Sequence, residues 1–351
     1  MQVLTETIHD APHDPSAALA RPKSLLVGRD FGLIDAVWGP AQKERLGNLV
    51  DLGEAAWNGM LDDPPDGLHE TEIIFSTWGM PALGHEELDL LPKLRAVFYA
   101  AGTVKEFADP FLERGIPIFS GWAANAVPVA EYTLSQILFA LKQGWLHQRH
   151  LLANRGPHGW RGVPTTGAYG SSVGIISLGM IGSTVSELLA PFEIRRLAYD
   201  PFVPEESMRE RDIIPATLQE IFATADAVTV HTPWLKETEG LITGKLLASM
   251  KWGSTFINTS RGALVREEEM IEVLSARPDL TAVLDVTCDE PPKPDSSLYT
   301  LPNVVLTPHI AGAKGTEMRR LADWMLDECE AWLTGNPVRY EVTRENIARM
   351  A

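Results

Sequence analysis

Twice along the chain, short apolar runs alternate with longer segments of helical character, and that alternation leaves few folds open. The first set begins at Lys23–Gly28 (KSLLVG) and continues through Thr71–Ser76 (TEIIFS), Leu94–Tyr99 (LRAVFY) and Ile116–Phe119 (IPIF). Leu33–Leu46 and Gly84–Leu90 read as helices between them. The second set is Ser172–Leu178, Arg195–Tyr199, Ala227–His231, Thr255–Asn258, Thr281–Asp285 and Val304–Leu306. Helices are expected between those runs at Ile181–Leu189, Thr217–Phe222, Thr243–Ala248 and Glu267–Ser275. Strands that are apolar throughout and separated by helices belong to parallel sheets covered on both faces. The expected class is therefore α/β, with two doubly wound parallel-sheet units, the second of about six strands.

A long helix is expected at Val127–Gln148, with Pro128 in its first turn, where a missing N–H costs nothing. Arg155–Gly170, dense in Gly, Pro and Thr, reads as a loop. Near the end of the chain Leu321, Trp324, Met325, Cys329 and Trp332 recur at helical spacing, so this helix has one apolar face. It is expected to pack back against the first unit. The units are then residues 1–126 with 315–351, and residues 127–314, the first 22 residues forming a loose arm.

Length and charge remove several classes of function. A chain of 351 residues has room for about two domains. Its net charge of −17 repels a phosphate backbone, so no nucleic-acid partner is expected. The longest apolar candidate for a membrane span, Val127–Leu141, is broken by Glu131 and Gln136, and no membrane partner is expected. The first residues lack the basic start and apolar stretch of a signal peptide. Two cysteines, Cys288 and Cys329, make neither a disulfide framework nor a thiolate metal site. His9 and His13 with Asp10 and Asp14 form no convincing ligand set, so no metal is expected, and the location expected is a reducing one, the cytoplasm.

The sharpest local signal is Val173–Leu189 (VGIISLGMIGSTVSELL), an apolar strand running through a Gly-containing turn into a helix. Such a turn brings free N–H groups at a helix N-terminus against a pyrophosphate. Gly179 and Gly182 occupy the second and third positions of G-x-G-x-x-G, and Ser177 holds the first. Ser177 is expected to be accommodated with its φ negative. Asp200 ends the next strand 18 residues after Gly182, close to the spacing of a carboxylate that accepts from the adenosine ribose. Such a carboxylate repels a 2′-phosphate and favours NAD over NADP, with Arg195 and Arg196 as the residues able to oppose it. The plain alternative for Asp200 is a turn former before Pro201.

Three later strands end in polar groups: Asn258–Arg261 after one, Asp285 running on to Glu290 after the next, and Thr307–His309 after the last. Loops beyond the carboxyl ends of parallel strands line the ligand crevice. A guanidinium, a carboxylate and an imidazole together suit hydride transfer to a 2-oxo acid. Arg261 would grip the substrate carboxylate as a fork. His309 would exchange the proton, since histidine ordinarily titrates near pH 6.5, and Glu290 would orient its ring. Taken singly each has a bland reading: a structural histidine, a turn-capping arginine, a surface glutamate. His231 either lines the cofactor pocket or is structural.

With those residues in view, the chain resembles the D-isomer-specific 2-hydroxyacid dehydrogenase family over nearly its whole length. The matching stretches are VGIISLGMIG, HTPWLKETEGLI, INTSRGALV, AVLDV with EP after it, and TPHIAG, preceded by RGIPIFSGWAANAVPVAEYTL. The resemblance implies a Rossmann-type coenzyme domain and a flavodoxin-like substrate domain built from both chain ends. It implies an NAD-dependent dehydrogenase interconverting a small 2-oxo acid and its D-2-hydroxy acid, with Arg261, Glu290 and His309 catalytic. For the cofactor it implies Met180 and Ile181 at the pyrophosphate. Thr232, Pro233 and Asp285 fall near the nicotinamide, and His231, Thr259, Ser260 and His309 are also expected at the cofactor. Ala101, Gly102 and Thr103 match a loop whose N–H groups bind the substrate carboxylate. Trp78, Phe98, Tyr99 and Trp122 are expected to shape an apolar pocket beside it. A homodimer through the coenzyme domain is a further implication. So is a second possible use of this frame, a dinucleotide-sensing corepressor with little turnover.

Overall fold

The computed structural model describes residues 21–54 and 56–347. Residues 1–20 of the expected arm, with His9, Asp10, His13 and Asp14, lie outside the described residues. The first sheet contains β1 (Lys23–Val27), β2 (Asp51–Leu52), β3 (Ile73–Ser76), β4 (Ala96–Tyr99) and β5 (Ile118–Ser120). The second contains β6 (Ser172–Ile176), β7 (Arg195–Tyr199), β8 (Ile213–Pro215), β9 (Ala227–Val230), β10 (Thr255–Asn258), β11 (Thr281–Leu284) and β12 (Val304–Leu306). A last strand, β13 (Glu341–Val342), returns to the first sheet. The spatial orders are β13-β5-β4-β3-β1-β2 and β12-β11-β10-β9-β6-β7-β8.

Every strand pair is parallel except β13 with β5, where Glu341 faces Phe119. The first sheet therefore has one antiparallel edge, and the second has seven strands rather than six. The extra strand, β8, is three residues long and shows no period of its own.

β3 and β4 are buried at every position, as strands covered on both faces must be. The helix Met318–Leu333 supplies one cover, burying Leu321, Ala322, Met325, Leu326 and Cys329. It lies against the stacked rings of Phe75, Phe98 and Phe119, whose centroids are 5.4 and 4.8 Å apart in succession. Each large apolar side chain buried there contributes about 1.5–3 kcal/mol, which brings the late segment back to the first sheet. Phe98 belongs to this core and Tyr99 to the core on the other face of the sheet, against Phe107, so both are packing residues and not walls of the expected apolar pocket.

The expected helix Val127–Gln148 is two helices, Trp122–Leu141 and Gly144–Ala153. Gln143, at φ +50°, interrupts the hydrogen-bond ladder between them. Pro128 lies inside the first helix rather than in its first turn, because that helix begins at Trp122. The chain passes between sheets at the start of this helix and again near residues 311–314. The Asn125 carboxamide oxygen accepts from the Ala313 N–H at 3.0 Å and ties the two crossovers together.

Candidate active site

β6 leads through Ser177, Leu178 and Gly179 into the helix Met180–Leu189. Gly179 is the N-cap, and no side chain caps the helix. Its first N–H groups have no partner within the helix and point outward from the turn, as an anion requires. A Cβ at Gly182 would collide with the Ser177 carbonyl, so only glycine lets turn and helix approach this closely. Free amides and a bare backbone together fit a pyrophosphate.

Ser177 departs from expectation. Its φ is +73°, in the left-handed region that a first glycine would occupy freely. A non-glycine there costs roughly 1–2 kcal/mol. The Ser177 hydroxyl offsets part of that cost by hydrogen bonding the Thr232 hydroxyl at 2.9 Å, a bond of about 0.5–1.5 kcal/mol. Ser177→Ala keeps the strain and loses the bond, whereas Ser177→Gly loses both. Urea denaturation should therefore find the Ala variant less stable than the Gly variant by about 1–2 kcal/mol. Equal stability would mean that position 177 carries no left-handed strain.

Asp200 lies beside this turn. Its Oδ2 accepts from the Leu178 N–H at 2.7 Å and its Oδ1 from the Phe202 N–H at 2.8 Å. The carboxylate thus shapes the turn, as the plain alternative for this residue has it. Arg195 and Arg196 begin β7 while Asp200 follows its end, and at ~3.3 Å per residue they sit some 13–17 Å away along the strand. Arg196 also donates to the Ser186 and Arg211 carbonyls. Neither arginine accompanies Asp200 at the ribose position.

At the carboxyl ends of β9 to β12, the expected trio comes together. His309 Nδ1 lies 2.7 Å from Glu290 Oε2. Glu290 Oε1 accepts from the Thr287 N–H at 3.3 Å, which steadies the carboxylate. Arg261 is half-buried and donates to the Ser260 carbonyl at 2.7 Å; among the described residues it has no carboxylate within ion-pair distance. Burial lowers its pKa from the ordinary arginine value, and the Glu290 charge acts in the opposite direction. A guanidinium still remains charged. The Arg261 and Glu290 loops touch at Gly262, where a Cβ would collide with the backbone of Thr287 and Cys288.

Asp285 holds this arrangement in a way the sequence reading missed. Its buried carboxylate accepts from the Thr307 hydroxyl at 2.6 Å and from the N–H groups of Ile310 and Ala311, each at 2.8 Å. Its carbonyl accepts from the His309 N–H at 3.0 Å. These bonds keep His309 at φ +50°, which directs its ring out of the loop toward Glu290. The Tyr132 hydroxyl extends the network to Thr307 at 3.0 Å. A buried aspartate directly after a strand carries no sequence signal for that role beyond the polar ends of the strands.

The remaining expected residues separate by what they leave free. Ser260 donates its hydroxyl to the Thr232 carbonyl at 2.6 Å, and the Thr259 hydroxyl pairs with that of Thr133 at 3.1 Å. Both are buried, so these side chains brace the crevice wall next to Pro233. His231 is buried with Nε2 3.1 Å from the Thr229 hydroxyl, and burial pushes its pKa down to about 3. It is a neutral wall residue. Partial burial, with Glu267 and Asp289 adding to it, pushes the Cys288 thiol up to about 11 and so away from the thiolate form. Among the described residues no cluster of His, Cys, Asp or Glu has the arrangement of a metal site.

The loop after β4 comes from the first sheet. The Ser120 hydroxyl contacts the Ala101 and Gly102 carbonyls at 3.1 and 2.6 Å, and Thr77 donates to the Ala100 carbonyl at 2.9 Å. The Ala101 N–H is spent on the Tyr99 carbonyl, which removes it from the expected set of donors. Gly102 and Thr103 keep N–H groups without an acceptor among the described residues.

A family model described as D-isomer specific 2-hydroxyacid dehydrogenase, NAD binding domain, matches residues 136–311. The chain is 32% identical over 257 residues to an (S)-sulfolactate dehydrogenase of Chromohalobacter salexigens, a match covering 72% of this chain and 79% of that protein. It is 31% identical over 235 residues to a D-3-phosphoglycerate dehydrogenase of Archaeoglobus fulgidus, covering 67% of this chain and 44% of that one. The chain thus spans less than half the length of that relative. Among solved structures, a phosphoglycerate oxidoreductase from Rhizobium etli superposes with a TM-score of 0.74 at 22% identity, covering 92% and 99% of the two chains. The fold is shared.

Proposed function

The chain belongs to the D-isomer-specific 2-hydroxyacid dehydrogenase family and carries its NAD-binding domain, and from that premise we propose that it reduces a small 2-oxo acid to the D-2-hydroxy acid, reversibly. The observation that carries this reading is the 2.7 Å contact of His309 with Glu290, beside a guanidinium with no carboxylate within ion-pair distance among the described residues. When bound, the nicotinamide supplies the hydride. Arg261 grips the substrate carboxylate together with the N–H groups of Gly102 and Thr103. Glu290 holds Nδ1 of His309 and stabilises the ring when charged, leaving Nε2 to deliver the proton to the oxo oxygen. Asp285 positions His309 by fixing the backbone around it. Loss of NADH absorbance with a panel of 2-oxo acids tests the reading; tight NADH binding with no turnover of any of them would favour the sensing role instead.

Cofactor choice follows from Asp200. A like-charge contact with a 2′-phosphate costs on the order of 1–3 kcal/mol, so kcat/KM should favour NADH over NADPH by roughly 5- to 150-fold. Asp200→Asn should narrow that ratio by relieving the NADPH penalty. A native ratio near unity would contradict the assignment.

The same reading includes a second copy of the chain joined through the coenzyme domain. The helix Gly144–Ala153 packs Trp145 inward, while Leu152, Trp160 and Tyr169 lie exposed on and after it. Such a patch is apolar surface in need of cover. Two free thiols, Cys288 and Cys329, fit the cytoplasm as the location. Among the described residues no helix is long and apolar enough to cross a membrane.

A further inference from the structure

The helix Trp122–Leu141 belongs to both units. Ala124 is buried in the core of the first sheet, and Ala130, Ile137 and Leu141 in that of the second. Just before the helix, the Gly121 N–H donates to the Tyr99 carbonyl at 2.9 Å and the Ser120 hydroxyl to the Gly102 carbonyl at 2.6 Å. The helix thus begins against the loop that offers Gly102 and Thr103. Farther along, three of its side chains reach the loops of His309 and Arg261. Asn125 Oδ1 accepts from the Ala313 N–H at 3.0 Å, the Tyr132 hydroxyl lies 3.0 Å from that of Thr307, and the Thr133 hydroxyl 3.1 Å from that of Thr259.

We propose that Tyr132 and Asn125 are positioning residues of the acid/base: they staple the His309 loop, at both its ends, to one face of the helix that also braces the Gly102 loop.

This role rests on the 2-oxo acid reading and adds what holds its proton donor in place. Asn125 and Tyr132 are seven positions apart, close to two full turns and about 10.5 Å of rise, so they share a face of the helix. Their partners, Thr307 and Ala313, bracket His309. A non-glycine residue at φ +50° keeps that conformation only while its surroundings over-determine it. Asp285 fixes the direction of the Tyr132 bond. An ionised carboxylate only accepts, so the single Thr307 proton goes to Asp285 Oδ1 at 2.6 Å, and the Tyr132 O–H donates to the Thr307 oxygen. That donation polarises Thr307 and strengthens its bond to Asp285. Asp285 in turn holds the Ile310 and Ala311 N–H groups, so one chain of bonds runs from the helix to the backbone beside His309. Thr133 braces the Arg261 turn in the same way through Thr259.

Tyr132→Phe deletes one hydroxyl and tests the staple. It should lower kcat for 2-oxo acid reduction by about 10-fold or more, the scale of a small misplacement of a reacting group, with KM and NADH affinity little changed. Asn125→Leu should act alike, and Asn125→Asp, which keeps an accepting oxygen, should restore most of the rate. Thr133→Val should instead raise KM, because it loosens the turn that carries Arg261. Hydrogen–deuterium exchange read by mass spectrometry needs no turnover. The peptide covering 307–313 should exchange about 2- to 10-fold faster in Tyr132→Phe than in the native chain, the scale of one lost hydrogen bond. Peptides of the helix Met180–Leu189 should exchange as before. Unchanged exchange of 307–313 in Tyr132→Phe would overturn the staple, and faster exchange with a native kcat would overturn its part in placing His309. Both results leave the 2-oxo acid reading standing. If the native chain reduces no 2-oxo acid, that reading falls, and the exchange rates still decide whether the staple holds the loop.

Discussion

His309→Ala should lower kcat for 2-oxo acid reduction by about 10²- to 10⁴-fold, the range over which a positioned acid accelerates proton transfer. NADH affinity, read by quenching of nicotinamide fluorescence, should change little. The groups that fit its pyrophosphate and ribose are the helix start at Gly179–Gly182 and Asp200, all remote from the loop of His309. A loss confined to turnover marks an interaction made in the transition state. The pH dependence follows with a definite sign. Reduction consumes the proton on the ring, so its rate falls as pH rises and the ring becomes neutral. Oxidation needs the neutral ring and shows the opposite limb. His231 cannot be the source of that limb, because burial keeps it neutral down to about pH 3. Glu290→Gln should cost less rate than His309→Ala does, since an amide still orients Nδ1. Normal turnover by the His309→Ala chain would move the proton-donor role to another group.

Arg261→Gln should reduce kcat/KM by about 10²- to 10³-fold, because a buried, charge-assisted grip on the substrate carboxylate disappears. Arg261→Lys should recover part of this, with the remaining defect mostly in KM. The ammonium keeps the charge and loses the fork. The surroundings favour this outcome: the guanidinium is half-buried, spends one bond on the Ser260 carbonyl and meets no ion-pair partner among the described residues. Steady-state kinetics on the best substrate decide it. An Arg261→Gln chain with unchanged kcat/KM would show that the guanidinium serves the turn after β10 and not the substrate.

What could be read from the sequence, and what could not, has a physical pattern. The strands that carry the site are mostly apolar, buried from end to end and set between helices, so β6, β9, β10 and β11 and the polar groups after them were legible as short apolar runs. The short edge strands β2, β8 and β13 are two or three residues long, too short for a period to emerge. The break at Gln143 was hidden because apolar spacing continues on both sides of it. Ser177 was misjudged for a different reason: a sequence shows which side chain occupies the first glycine position but not the sign of its φ. The structure answers that with +73° and a bond to Thr232. Asp285 acts through a tertiary neighbour, the His309 loop, that only the folded chain brings to it.

The central claim is hydride transfer to one face of a 2-oxo acid, with protonation of its oxo oxygen. Its most direct test mixes the chain with a turned-over 2-oxo acid and NADH dideuterated at C4, then resolves the product by chiral chromatography and mass spectrometry. The account predicts the D-2-hydroxy acid with deuterium at C2. An L-product, or a reduced product without that deuterium, would contradict it.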